Sequence, residues 1–267
     1  NQKKIYDLPN EQVNWLRQDL EANTNKGWVI AYWHQPPFTK GSHDSDNLNG
    51  IDADLVEIRT KLISILENYG VDLILCGHSH VYERTKLLKG YYGTSLEYDE
   101  SLYALSASSG KYDGTPNSCP YYKKQAGGNG GTLYVVAGSA GQRGGAGKII
   151  DFPHRAMYYS NKDVAGAMVL EIEGNRLDAK WITQNGAIED RFTMMKEVNR
   201  NTTYNTTVGV PVTLEASYKG SYLWTDAQTT PAITVTPAAE GTEMYIVKDD
   251  QNCVADTFNV IAARVLP

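Results

Sequence analysis

The stretch Val71-Asp72-Leu73-Ile74-Leu75-Cys76-Gly77-His78-Ser79-His80-Val81-Tyr82-Glu83-Arg84 decides how the chain is read. An apolar run long enough for one buried strand stops at Gly77, and two histidines follow with a single residue between them. In an extended backbone alternate side chains project to the same side, so this spacing predicts that His78 and His80 face one space. Neutral imidazole is the commonest side-chain ligand for zinc and iron-type metals, and a strand end is where an α/β fold places its chemistry. A bare His-x-His would read as two polar residues of a surface loop. Here the strand, the glycine and the Tyr82-Glu83-Arg84 tail coincide, and together they favour a metal site.

Working outward, four of the five histidines, His34, His43, His78 and His80, fall in one part of the chain. His34 ends a second apolar run, Trp28-Val29-Ile30-Ala31-Tyr32-Trp33, and is followed by Gln35-Pro36-Pro37. Pro36 biases Gln35 away from helix, so the strand leaves the sheet as an irregular loop. Between the two runs Leu55, Ile58, Leu62, Ile65, Leu66 and Tyr69 repeat at helical spacing, and Gly70 suits the helix stop. Strand, helix, strand implies a parallel right-handed crossover that brings both strand ends to one sheet edge. The three imidazoles of His34, His78 and His80 are therefore expected to converge as metal ligands. Upstream, Asn10 is a candidate cap for a helix whose apolar stripe is Val13, Leu16 and Leu20.

The stretches Ala31-Tyr32-Trp33-His34-Gln35-Pro36-Pro37 and Gly77-His78-Ser79-His80-Val81-Tyr82-Glu83-Arg84 resemble the last two metal-binding motifs of calcineurin-like metallophosphoesterases. The Tyr-Glu-Arg ending is similar to the purple acid phosphatase branch. The resemblance runs from about Asn1 to Lys196, since Thr132-Leu133-Tyr134-Val135-Val136-Ala137-Gly138-Ser139 and the closing strands also fit. It implies an α/β fold, the C-terminal half of a metallophosphoesterase αββα sandwich, with a two-metal site where metal-activated water hydrolyses a phosphoester. It further implies that His34 and His78 bind one metal and His80 the other, the metals being iron, zinc or manganese.

The same resemblance requires an Asp-x-His or Asp-x-Gly motif, a Gly-Asp motif and a Gly-Asn-His motif upstream, and iron of the purple type needs a tyrosine ligand there too. This sequence contains neither a Gly-Asp nor an Asn-His dipeptide. The chain is therefore expected to be the C-terminal part of a longer enzyme and inactive alone, with its missing N-terminal half as partner. Three neutral histidines cannot balance two multivalent cations, so anionic ligands are expected from elsewhere. Local candidates are Asp44, Asp46, Asp52 and Asp54. Any of them beside His34, His78 and His80 would make a mononuclear site, whereas their ordinary role is a polar loop opening the next helix. A non-catalytic protein that keeps the fold for metal or phosphate recognition is the alternative to the hydrolase.

His43 matches the family position of a histidine that contacts the substrate phosphate, where an imidazolium binds a phosphate oxygen or protonates the leaving alkoxide. Tyr82, Glu83 and Arg84 are expected behind the ligands. Glu83 or a backbone carbonyl is placed to accept from a ligand's second ring nitrogen, and Arg84 to pair with Glu83 or to reach a phosphate. His154 has no sequence partner and reads as a loop residue.

Length fits two domains, residues 1–197 and 203–267. A net charge of −6 without a basic cluster argues against nucleic-acid binding, and no apolar stretch is long enough to span a bilayer. Gly166 to Ile182 reads as a hairpin turning at Gly174-Asn175, with Met168, Leu170 and Ile172 on a buried face, and Asn185-Gly186 marks a second turn. The small residues Gly138-Ser139-Ala140-Gly141 let backbone approach a site, whereas Gly127-Gly128-Asn129-Gly130-Gly131 reads as a loop because no helix follows. The Asn/Thr run from Val198 to Thr207 reads as a linker. Beyond it five short strand candidates, with Trp224 as core aromatic, predict a small all-β sandwich. It resembles the immunoglobulin-like modules of secreted bacterial hydrolases, which implies a secreted, cell-surface or periplasmic location. Asp249, Asp250 and Asn252 there are candidate calcium ligands or a solvated turn. Cys76 reads as a buried small hydrophobe, and Cys119 and Cys253 have no evident partner.

Overall fold

The computed structural model describes residues 11–123, 130–142 and 151–264. The candidate cap Asn10 and the glycine-rich segment at Gly127-Gly128-Asn129 lie outside the described residues. Helix α1 (Glu11–Ala22) buries Val13 and Leu20, and Leu16 packs beside them. Strand β1 (Ile30–Trp33) stops at His34. The helical run that follows consists of α2 (Ala53–Glu57), a π-helical turn at Ile58–Leu62, and α3 (Ile63–Asn68). Its buried stripe is the one read from spacing, Leu55, Ile58, Leu62, Ile65 and Leu66. Gly70, at φ 75°, takes the left-handed conformation that ends the run.

Strand β2 (Leu73–Cys76) then pairs parallel with β1, Ile30 opposite Leu73 and Trp33 opposite Cys76. That register sets His34 beside Gly77, whose N–H donates to the His34 carbonyl at 3.0 Å. Strand β3 (Tyr82–Thr85), helix α4 (Glu100–Tyr103), and strands β4 (Tyr121–Lys123), β5 (Leu133–Ala137) and β6 (Met157–Asn161) come next. The main sheet has the order β1-β2-β5-β3-β6, parallel from β1 to β5 and antiparallel beyond. A meander of β7 (Gly166–Glu173), β8 (Arg176–Thr183) and β9 (Ile188–Lys196) joins β4 in a second sheet.

The apolar run of β2 is continuous because both of its faces are covered. Ile74 and Cys76 pack with Ile58, Leu62 and Leu66 of the helices. Leu73 and Leu75 pack with Leu177, Trp181, Phe192 and Met194 of the second sheet. The result is a mixed α/β arrangement, a helix layer on one face of the main sheet and a second sheet on the other. Met168 and Leu170 contribute to the core between the sheets. Ile172, expected on that face, is 49% exposed because it lies near the hairpin end, past the packed region.

The Asn/Thr segment is not a linker. Residues Asn201–Thr207 form β10, paired parallel with β15 (Ala255–Ala263). The run alternates between outward and half-buried residues, and its threonines and Tyr204 suit a pleated surface better than their polarity suggests. With β11 (Val212–Glu215), β12 (Leu223–Trp224), β13 (Ala232–Val235) and β14 (Gly241–Lys248), the C-terminal part has one four-stranded sheet and one two-stranded sheet. Trp224 is 2% exposed in their shared core and stacks on Phe258 at 5.6 Å.

The expectation for the cysteines is also corrected. Cys119 and Cys253 form a disulfide across 134 residues of sequence, while Cys76 is free and buried. Asp249 organises the turn that presents Cys253. Its carboxylate accepts from the N–H of Cys253 (2.7 Å) and Val254 (2.9 Å) and from the Tyr112 hydroxyl (2.8 Å). Those contacts engage both oxygens of the Asp249 carboxylate inside the protein. No helix among the described residues is long and apolar enough to cross a membrane.

Candidate metal centre

Parallel pairing of β1 with β2 brings His34 and His78 together at the sheet's end. His34 Nε2 lies 3.0 Å from His78 Nδ1, with the rings edge to face at 4.8 Å. His43, carried on the loop after β1, stacks on His78 with centroids 3.8 Å apart. Its Nδ1 is 2.6 Å from a carboxylate oxygen of Asp52, and the other Asp52 oxygen accepts the Asp44 N–H at 3.1 Å. Donor atoms of His43, Asp52 and His78 all fall within 4.8 Å of one another.

The loop that carries His78 is not extended, which corrects the basis on which His78 and His80 were paired. Ser79 N–H bonds the Gly77 carbonyl at 2.7 Å and Val81 N–H bonds the Ser79 carbonyl at 2.8 Å, two consecutive tight turns. His78 has φ 58°, a left-handed conformation uncommon for a residue with a Cβ. Two glycines permit this bend. A Cβ on Gly138 would sit 2.0 Å from the Ser79 carbonyl oxygen, and one on Gly41 would sit 2.4 Å from Ser79 Oγ. Ser79 Oγ in turn accepts the Ser42 N–H (3.0 Å) and shares a hydrogen bond with Thr39 Oγ1 (2.9 Å), fastening the His43 loop to the His78 loop. The His80 N–H adds a bond to Ser42 Oγ at 2.9 Å. Among the described residues the His80 imidazole makes no ring contact or hydrogen bond with the other three, although its charge acts on His78.

The calcineurin-like phosphoesterase family model matches residues 1–82, the stretch that holds all four histidines. Residues 1–82 are thus similar to calcineurin-like phosphoesterases. Over 88 residues it is 36% identical to an uncharacterized protein of Mycobacterium tuberculosis, covering 32% of this chain and 15% of that protein. It is 32% identical over 83 residues to purple acid phosphatase 18 of Arabidopsis thaliana, covering 30% of this chain and 17% of that one. Acid phosphatase type 7 of Danio rerio is 26% identical over 205 residues, 72% of this chain and 41% of that protein. The chain thus spans less than half the length of these relatives.

The donors of the matched segment suit a metal ion. Two ligands about 2.0–2.1 Å from one ion at near right angles have donor atoms about 3 Å apart, which is the His34–His78 spacing. His78 is held neutral to lower pH than a free imidazole, first by burial and then by the neighbouring His43 and His34, with Asp52 opposing. A ligand must be unprotonated to bind, so the shift favours metal over proton. The His43–Asp52 contact fixes the ring so that Nδ1–H donates to the carboxylate and Nε2 is left as the free donor atom.

Three residues expected behind the ligands act elsewhere. Glu83 accepts from the Thr39 hydroxyl and from Lys40 N–H (3.2 Å), so it secures the loop leading to His43 and touches no imidazole. Arg84 pairs not with Glu83 but with Asp190, through Nε (2.6 Å) and Nη2 (2.8 Å), fully buried between the two sheets. Tyr82 donates to the same carboxylate at 2.9 Å and stacks on Trp181 at 4.4 Å. The cause is strand alternation. Tyr82 and Arg84 share the face of β3 that packs on the second sheet, and Glu83 faces the opposite side. Asp44 and Asp46 are engaged by Lys40 at 2.6 and 3.0 Å. Burial acts to lower the pKa of that lysine, and bonds and charges from both carboxylates outweigh it and raise it.

Asp52 is the functional candidate whose weight the sequence understates. It is an acid at the start of a helix, an ordinary position, and nothing in its spacing tells it from Asp54. His154 is likewise no loop bystander. It is fully buried against Phe38 and Tyr91, its Nδ1 accepting the Ala156 N–H at 3.2 Å.

Proposed function

We propose that this chain supplies the histidine side of a two-metal phosphoester hydrolase, with His34 and His78 on one ion and His80 on the other. The observation that carries the reading is the meeting of His34, His43 and His78 at paired strand ends, inside the segment that matches the phosphoesterase family. Bound ions would supply Lewis acidity toward the phosphoryl oxygens and an activated water. The chain's own residues do the rest. His43, oriented by Asp52, presents Nε2 toward the substrate, and its protonated form binds a phosphoryl oxygen or passes a proton to the leaving oxygen. The Thr39, Ser42 and Ser79 bonds keep the two histidine-bearing loops in register.

The anionic ligands for two ions come, in this reading, from protein outside these residues. Two facts support it. Three neutral imidazoles leave two cations uncompensated. Strand β1 is also an edge of its sheet among the described residues, and a cavity of about 580 Å³ lined by Trp15, Leu16, Ala31, Tyr32 and Ile58 runs beside it. A parallel sheet rarely leaves such an edge uncovered. Residues 1–197 then belong to the catalytic domain and 203–267 to an immunoglobulin-like module. The Cys119–Cys253 disulfide favours an oxidising compartment, hence secretion or the cell surface.

The test compares the 267-residue chain with the chain plus its upstream protein, assaying p-nitrophenyl phosphate and its bis ester with elemental analysis. Turnover only in the complete protein, with two metals bound, is expected. A complete, metal-loaded protein that hydrolyses neither ester sinks the hydrolase and leaves the recognition protein.

A further inference from the structure

We infer that Asn49 is a self-modifying site, at which the backbone nitrogen of Gly50 attacks the asparagine side chain and converts it to aspartate or isoaspartate. Water is the only co-reactant, and neither a metal nor a phosphoester takes part. The product is a new carboxylate three residues before Asp52.

The dipeptide Asn-Gly occurs at Asn49, Asn129 and Asn185, and Asn129 lies outside the described residues. Asparagine is a thermolabile residue, and a following glycine has no Cβ to shield the attacking nitrogen. Asn49 and Asn185 both sit on exposed tips, so exposure does not separate them. Their hydrogen bonds do.

Attack requires a free nitrogen and a free amide. Gly50 opens the short 3₁₀ turn Gly50–Asp52, so its N–H is one of the donors that a helix start leaves without a partner. Asn49 stands at the cap position, yet its side chain caps nothing. Its own N–H donates to Asn47 Oδ1 at 3.0 Å, which steadies the backbone and leaves the side-chain amide uncommitted. Closing the ring needs rotation about the Asn49 ψ, which is 153°. Nothing lies within 4 Å of where a Gly50 Cβ would be, so that swing meets no packed neighbour at Gly50.

Asn185 is the internal contrast. The Gly186 N–H donates to the Thr183 carbonyl at 2.8 Å, and Asn185 Oδ1 accepts the Thr183 hydroxyl. Both reacting groups are spent, in a turn whose flanking strands β8 and β9 are paired. Two bonds have to open there before the same attack, which slows it roughly tenfold or more.

The tip around Asn49 can change while its base stays in place. On one side Asp46 is held by Lys40 at 3.0 Å and by the Ser95 N–H at 2.8 Å, and on the other Asp52 is held by His43 at 2.6 Å. Residues 47–51 project between these anchors, with Ile51 83% exposed. In the reaction the Gly50 N–Cγ bond forms as Cγ–Nδ2 breaks, and the Gly50 proton leaves with the amide as ammonia. Water then adds at one of the two ring carbonyls. One opening gives aspartate, and the other gives isoaspartate, with an extra backbone carbon on the path to Asp52.

The test incubates the folded 267-residue chain at mildly alkaline pH and follows both peptides by mass spectrometry, with electron-transfer fragmentation to distinguish isoaspartate. Asn49 should convert about tenfold faster than Asn185 or more. In urea, where no turn survives, the two sites should react at similar rates. Thr183→Val, which removes the hydroxyl from Asn185, should speed conversion at Asn185 in the folded chain and leave Asn49 as it was. Equal rates in the folded chain would overturn the inference. So would an Asn49 still intact after a time that converts it fully in urea, or a rate difference that persists unchanged in urea.

Discussion

Replacing Glu83 by glutamine should tilt the pH dependence of stability one way, and replacing His154 by phenylalanine should tilt it the other. Glu83 is fully buried, and burial pushes its carboxyl up from 4.5 to about 7 against the bonds from Thr39 and the backbone of Lys40 and His154. His154 is pushed down from 6.5 to about 3, first by burial and then by the charges of Arg59 and Lys40. The signs oppose. Between pH 4.5 and 7 the folded chain holds a proton on Glu83 that the unfolded chain has lost, so this contribution is full below 4.5 and lost as pH rises to 7. Between pH 3 and 6.5 the unfolded chain holds a proton on His154 that the folded chain lacks, so that contribution is full above 6.5 and lost as pH falls to 3. From 4.5 to 6.5 the slopes cancel, each about 1.4 kcal/mol per pH unit. Over two units each is worth about 3 kcal/mol. Relative to wild type, Glu83→Gln should lose about 3 kcal/mol on going from pH 6.5 to 4.5, and His154→Phe should gain a similar amount. Phenylalanine suits the site, since His154 Nε2 has no partner among the described residues and the ring packs on Phe38 and Tyr91. Urea unfolding at pH 4.5, 5.5 and 6.5 measures both. If both variants parallel the wild type to within about 0.5 kcal/mol across that range, the assignment of opposed buried charges is wrong.

Gly138→Ala should force the Ser79 carbonyl away, cost about 1–3 kcal/mol in denaturant unfolding and weaken metal binding by the complete protein; unchanged binding would refute the role given to that close approach. Asp190→Asn should destabilise by about 3 kcal/mol or more, because it leaves the buried Arg84 guanidinium uncompensated. The same variant should leave metal affinity unaltered, since Asp190 packs between the sheets. Changing Cys119 and Cys253 to serine should cost about 2–5 kcal/mol, read as a shift of the urea midpoint against wild type under non-reducing conditions. An unmoved midpoint would mean the bond does not form.

The β1–helix–β2 unit was legible because its signals are local: two apolar runs, a helical stripe and Gly70. Once the strands are parallel and in register, the meeting of His34 with His78 follows. Pairing His80 with His78 requires extended backbone, and the bend that breaks it depends on Gly138, which lies on β5's exit sixty residues on. Asp52 does not stand out in the sequence because a carboxylate opening a helix is commonplace, and its tie to His43 is set by how one loop folds back. Arg84 with Asp190 and Cys119 with Cys253 are contacts between distant segments that leave no mark in local spacing. For β10 the composition was misleading, since asparagine suggests a loop while the alternation around Tyr204 supports a strand.

The tie between Cys119 and Cys253 sets what can be exchanged between proteins built on this plan. A tail joined only by a flexible stretch can be replaced by recombination at that stretch. Here the tail leans on Tyr112 and Asn175, the latter donating to the Ser217 carbonyl at 2.7 Å, and it takes Met195 into its own core. Grafting residues from 201 onward onto another protein would leave a lone thiol at Cys253 and an orphaned Asp249. The smallest transferable unit therefore includes the segment around Tyr112 to Cys119, far upstream in the chain, so the inheritance of the tail is bound to that of the scaffold before it.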